Sequence, residues 1–181
     1  MMSHNPDMSE TVMGRLKKCG KGVRIFPLAK IVNPGVIEIG DCSMIDDFTF
    51  IYGGKGIRIG RYVHVASFVS VIGGGELVVG DYADVACGSR ILTGTDNYKG
   101  GSRMSSALPY EQRSVTRGTV VIGKDAFVGT NVVVHPNVTI GEGAVIGSNS
   151  LVLHDIEPWT INVGSPCKRI GDRPKVVMPD L

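Results

Sequence analysis

Over residues 120–156, VVIGKDAFVGTNVVVHPNVTIGEGAVIGSNSLVLHDI, an aliphatic side chain returns at every sixth position: Ile122, Val128, Val134, Ile140, Ile146 and Val152. A helix repeats about every 3.6 residues and a half-buried strand about every two, so neither produces this spacing. A hexapeptide repeat does, and arrays of that period build parallel β-helices. Four residues after each of these aliphatics stands a smaller or second apolar residue: Ala126, Val132, Val138, Ala144, Ser150 and Ile156. Each unit therefore offers one large and one smaller inward side chain, and three units close a triangular coil. The composition agrees, since 25 glycines suit many tight corners and 6% aromatics suit an interior with little room for rings.

A second period, of 20 residues, precedes the first. The blocks IEIGDCSMIDDFTFIYGGKG, IRIGRYVHVASFVSVIGGGE and LVVGDYADVACGSRILTGTD place aliphatics at Ile39, Ile45 and Ile51, then Ile59, Val65 and Val71, then Val79, Val85 and Ile91. A weaker copy carries Ile25 and Ile31. Each block is three hexads plus two residues at one corner, where GGKG and GGGE allow a wider turn. Stacked coils set residues 20 apart side by side at roughly 4.8 Å. One column then reads Arg24, Met44, His64, Asp84 and, by alignment on the next repeat, Phe127. His64 and Asp84 are expected on successive rungs.

The pattern divides the chain into an N-terminal segment (1–18), a β-helix (19–157) and a capping tail (158–181). Met8, Val12, Met13 and Leu16 form one face of a short helix in the first of these. Residues 93–119 carry no period of their own, and since the repeat resumes in phase they are read as a projecting loop. The Pro-rich, basic segment EPWTINVGSPCKRIGDRPK would cover the open end of the stack.

A formal net charge of +2 gives no case for nucleic acid or a membrane surface. Cys19, Cys42, Cys87 and Cys167 form no CxxC pair, so reduced thiols are expected in place of zinc or disulfides. The chain opens with no charged-then-apolar leader and has no run of about 18 apolar residues. A cytoplasmic protein without a membrane span is expected.

The run TVVIGKDAFVGTNVVVHPNVTIGEGAVIGSNSLV followed by GSPCKRI resembles the left-handed β-helix acetyltransferases, sugar O- and N-acetyltransferases in particular. The likeness covers about residues 23–171. It implies the left-handed sense of the coil, an acetyl-CoA cosubstrate, and a homotrimer with active sites between subunits; no metal is expected, because no three histidines fall in register. The implied acceptor is a sugar or nucleotide-linked amino sugar used in surface-polysaccharide synthesis. By motif position, the resemblance puts Thr130 and Ser148 beside the pantetheine arm, and Leu153, His154 and Lys168 nearer the phosphates and adenine. The Thr130 backbone N–H would polarise the thioester carbonyl.

Where related galactoside-type enzymes carry a catalytic histidine, in the stretch TGTDNYKG, this chain has Asp96. An ordinary carboxylate is a weak base for a hydroxyl. His64 is therefore the expected base, with Asp84 orienting its ring and Asp96 positioning the acceptor. Other readings stay open: His64 as a surface or subunit-contact residue, Asp96 as an Asx turn, and His135, before Pro136, as a corner residue. Tyr98 and Tyr110 serve either the ligands or a neighbouring subunit. An amine acceptor would need less base assistance than a hydroxyl, so oxygen and nitrogen acylation both stay open. Two rival classes are a non-catalytic trimeric scaffold and a β-helix metal enzyme of carbonic-anhydrase type, which needs three converging histidines.

Overall fold

The computed structural model describes residues 12–181. Short parallel strands stack into three sheets, the three walls of a prism. The first face contains Lys18–Cys19, Ile37–Ile39, Gly56–Ile59, Glu76–Val79, Thr119–Ile122 and Thr139–Ile140; each coil then continues onto a second face and a third. The fold is a left-handed parallel β-helix.

The inward hexad positions form one continuous core. Ile122, Val128, Val134, Ile140, Ile146 and Val152 are each at most 1% exposed, and Ile39, Ile45, Ile51, Val85 and Ile91 are similarly enclosed. Neighbouring positions alternate outward, as a pleated strand requires. The 20-residue register is met residue for residue: Arg24 pairs with Met44, Met44 with His64 and His64 with Asp84, and across the 93–119 insertion Asp84 pairs with Phe127. The array also re-enters in phase after the loop, with Glu76–Val79 paired to Thr119–Ile122.

Corners impose a second requirement. The chain turns through left-handed backbone at Asp125, Asn131, Asn137 and Asn149, residue types that adopt it with little strain. In the 20-residue coils the same conformation falls on Phe48, Tyr62, Phe68 and Tyr82. Bulky residues there are strained, and stacking offsets part of the cost: the Phe48 and Phe68 rings lie 5.2 Å apart, and those of Tyr62 and Tyr82 5.4 Å. Hydroxyls tie corners of successive coils together. Ser43 Oγ donates to the Gly60 carbonyl at 2.7 Å and accepts from the Val63 N–H at 3.0 Å.

Val12, Met13 and Leu16 pack against the core near its first coil, whereas Met8 lies outside the described residues. The second face runs one rung beyond the β-helix limit expected at residue 157. Thr160–Val163 pairs in parallel with Val145–Ile146, and Lys168–Asp172 folds back antiparallel onto it. The cap is thus a hairpin that supplies the hydrogen bonds an open sheet edge would lack. Beyond it, the tail follows the edge between the first and second faces. Arg173 Nη1 donates to the Asp125 carbonyl at 2.6 Å, Lys124 meets Asp180 at 2.7 Å, and Arg61 Nη1 donates to the Leu181 carbonyl at 3.1 Å.

At Gly143, φ is +64° and an added Cβ would stand 2.3 Å from the Trp159 ring. Gly143→Ala should cost about 2 kcal/mol or more, seen as a lower denaturation midpoint; an unchanged midpoint would contradict this packing. Asp81 provides a pH test. Burial pushes its carboxyl up, but the Arg61 backbone N–H and guanidinium more than offset that and hold it below the ordinary aspartate value. A lowered folded-state value stabilises above the unfolded one and is lost as the pH falls through it. Wild type should therefore melt higher than Asp81→Asn near neutrality, and the two should converge below about pH 4.

Candidate active site

On the second face, the residue before each inward aliphatic points outward, which presents His64, before Val65, and Asp84, before Val85, on adjacent rungs. The His64 side chain is about one-third exposed, at 34%. Its Nε2 lies 3.0 Å from Asp46 Oδ2, within hydrogen-bond range, and its Nδ1 lies 3.5 Å from Asp84 Oδ2, beyond the usual range. Asp46 follows Ile45 on the coil before, so the ring reaches it diagonally. Phe127 continues the column past Asp84 and keeps 39% of its surface exposed.

Asp46 is the residue that sequence reasoning missed. Reading down columns of residues 20 apart joins it to Phe26 and Ala66, and gives no sign of a contact to a residue 18 positions away. The expected partner, Asp84, is in register with His64, but Asp46 makes the shorter contact.

Asp96 stands elsewhere. Residues 93–119 are not a plain loop: Gly94–Asp96 pairs antiparallel with Val115–Arg117 in a two-stranded ribbon. Asp96 Oδ1 accepts from Arg113 Nη2 at 3.4 Å, the same nitrogen reaches Ser106 Oγ at 3.3 Å, and Arg113 Nε is buried with no partner. Arg117 lies over the Tyr110 ring, and Thr95 Oγ1 meets the Tyr98 hydroxyl at 2.9 Å. The ribbon departs after the third-face strand Arg90–Leu92, whereas His64 starts a second-face strand. The chain therefore brings His64, Asp46 and Asp84 together but keeps Asp96 on another edge of the prism.

The five residues expected beside a cofactor fall into two groups. Thr130 and Ser148 are exposed on successive rungs of the edge between the second and third faces, where the Asn149 N–H donates to the Thr130 carbonyl at 2.8 Å. Leu153 and His154 leave the third face at its far side and line a groove with Glu157, Asn162, Cys167 and Arg169 at the end of the prism. Burial pushes the Cys167 thiol up, against a weaker opposing hydrogen bond from Ser150. Lys168 is exposed, opposite Val163 in the terminal hairpin. His135 stands one rung from Val152, on a different face from His64. Among the described residues no three His, Cys, Asp or Glu side chains gather as a metal site would require.

Residues 119–154 match the bacterial transferase hexapeptide family, as six repeats. Over 163 residues the chain is 37% identical to a dTDP-4-amino-4,6-dideoxy-D-glucose acyltransferase of Escherichia coli, a match spanning 90% of this chain and 85% of that protein. The chain belongs to the hexapeptide-repeat acyltransferases. Among solved structures it is similar to AntD, an N-acyltransferase from Bacillus cereus, with a TM-score of 0.86 and 32% identity over 92% of this chain and 88% of that one. Variants of AntD have been crystallised with coenzyme A together with dTDP or dTDP-4-amino-4,6-dideoxyglucose, and AntD itself with dTDP and 3-hydroxybutyryl-CoA. A hexapeptide-repeat acetyltransferase from Vibrio cholerae, solved with acetyl-CoA, shares the fold at a TM-score of 0.63 and 21% identity, over 94% of this chain and 81% of that chain.

Proposed function

We propose that this acyltransferase moves an acyl group, acetyl in the simplest case, from coenzyme A to the amino nitrogen of a nucleotide-linked 4-amino sugar. One observation carries the reading: the likeness to an acyltransferase of dTDP-4-amino-4,6-dideoxy-D-glucose runs along nine-tenths of the chain instead of stopping at the shared repeats. The AntD complexes with coenzyme A and a dTDP-amino sugar point to the same pair of ligands. We place the reaction in the cytosol, in keeping with four free thiols.

In this reading the amine nitrogen attacks the thioester carbonyl carbon, the new N–C bond forms, and the C–S bond breaks to release the coenzyme A thiolate. His64 removes the proton that the nitrogen sheds, and Asp84 helps hold the amino group. Thr130 and Ser148 border the pantetheine arm, and Leu153, His154 and Lys168 the nucleotide end of coenzyme A, where the lysine cation suits a phosphate.

The working form is a homotrimer. Leu28, Phe48 and Phe68 line one edge, each more than half exposed, an apolar strip that a second copy would cover. The same packing gives Asp96 a role its position within one subunit denies it. It would reach the second face of a neighbour, so that each site draws His64 from one subunit and the ribbon from the next.

His64→Ala should lower turnover of dTDP-4-amino-4,6-dideoxyglucose with acetyl-CoA on the order of 10²-fold or more, while calorimetry still detects coenzyme A binding. A 4-hydroxyl analogue should be acylated far more slowly. Turnover of hydroxyl acceptors alone would reject the amine reading, and a protein that binds no coenzyme A would reject the enzyme.

A further inference from the structure

The structure assigns Asp46 as the positioning residue of the site: it fixes His64 as the Nε2–H tautomer, so that Nδ1 is the proton-accepting atom, facing the Asp84 carboxylate. This rests on His64 being the base. A carboxylate can only accept hydrogen bonds, so the 3.0 Å contact between Nε2 and Asp46 Oδ2 requires the hydrogen to be on Nε2. A neutral imidazole carries one N–H, which leaves the lone pair on Nδ1.

Nδ1 in turn faces Asp84 Oδ2 at 3.5 Å, an acceptor facing an acceptor with no hydrogen to share. A donor with two hydrogens satisfies both atoms at once. An amine has two, whereas a hydroxyl has one and would leave either Nδ1 or Oδ2 unpaired. The arrangement therefore favours nitrogen over oxygen through hydrogen count, apart from any difference in nucleophilicity. One proton passes from the attacking nitrogen to Nδ1 as the N–C bond forms and the C–S bond of the thioester breaks, while the second hydrogen stays on the nitrogen, donated to Asp84 Oδ2.

Asp46 is suited to this because it acts from the coil before, clear of the space between His64 and Asp84. In its own column the following rungs carry Ala66 and Ala86, so no other carboxylate in that column reaches the ring. Asp84, on the coil after, is left free for the acceptor.

Long-range ¹⁵N–¹H correlation spectra of the intact protein test the assignment directly. Wild-type His64 should show a protonated Nε2 and an unprotonated Nδ1 wherever the ring is neutral. Asp46→Asn should mix the two tautomers, because an asparagine can donate as well as accept, and Asp84→Asn should leave the wild-type pattern. With acetyl-CoA and the amino sugar, Asp46→Asn should lower kcat about 10²-fold with KM for the acceptor little changed, and Asp46→Glu should recover part of the loss. Asp84→Asn should instead raise KM for the acceptor roughly tenfold.

A wild-type spectrum with the proton on Nδ1 would overturn the assignment without any variant. So would an Asp46→Asn protein with wild-type kcat and tautomer while His64→Ala is inactive. Full activity in His64→Ala is a separate failure, that of the base reading itself.

Discussion

The interior of each coil is so narrow that a wall admits one branched aliphatic and, at the corner, one small or second apolar side chain. Ile122, Val128 and Val134 fill one coil in this way and Ile140, Ile146 and Val152 the next, all of them sealed from water. Enlarging the residue would force the walls apart, and shrinking it would leave a cavity with no neighbour able to close it. Parallel pairing then locks each coil to the last, and the corner residues must accept left-handed backbone. Asn131 and Asn149 meet that condition readily, while Phe48 and Phe68 meet it by stacking.

The site is a by-product of this constraint. Because inward positions are spoken for, the outward residue beside each aliphatic is held at a fixed height and direction by a rigid frame. His64, Asp84 and Phe127 stand in line for that reason alone. Side chains mounted on such rungs are held in place by the frame and need little rearrangement to meet a ligand. The ribbon built on 93–119 is the part of the chain that stands out from the walls of the prism. A two-stranded projection carrying Asp96, Arg113 and Tyr110 supplies side chains that the coil does not offer.

Periodicity makes the stacking legible in the sequence: each pairing from Arg24 to Asp84 follows from counting twenty residues, and Phe127 joins the column by alignment on the next repeat. Counting fails where contacts run obliquely or where the period lapses. Asp46 touches His64 across a diagonal, 18 residues apart in coils that repeat every 20. The terminal hairpin hides in a segment whose prolines suggest an irregular cap, and its pairing of Thr160–Val163 to Lys168–Asp172 depends on the rung beneath. The run of the tail to Tyr82 and Arg61 depends on charge and ring contacts with residues some hundred positions earlier, which no local pattern announces. Asp96 was legible as a candidate, but its edge of the prism was not, because the ribbon that carries it has no repeat to count.

The proposed chemistry requires an amino sugar to meet the second face at His64. A crystal structure of the protein with coenzyme A and dTDP-4-amino-4,6-dideoxyglucose would locate the amino nitrogen. It should lie about 3 Å from both His64 Nδ1 and an Asp84 oxygen, with Asp46 still on Nε2 and the ribbon of an adjoining subunit across the sugar. An amino nitrogen bound away from His64, or a sugar seated on the first face, would contradict it.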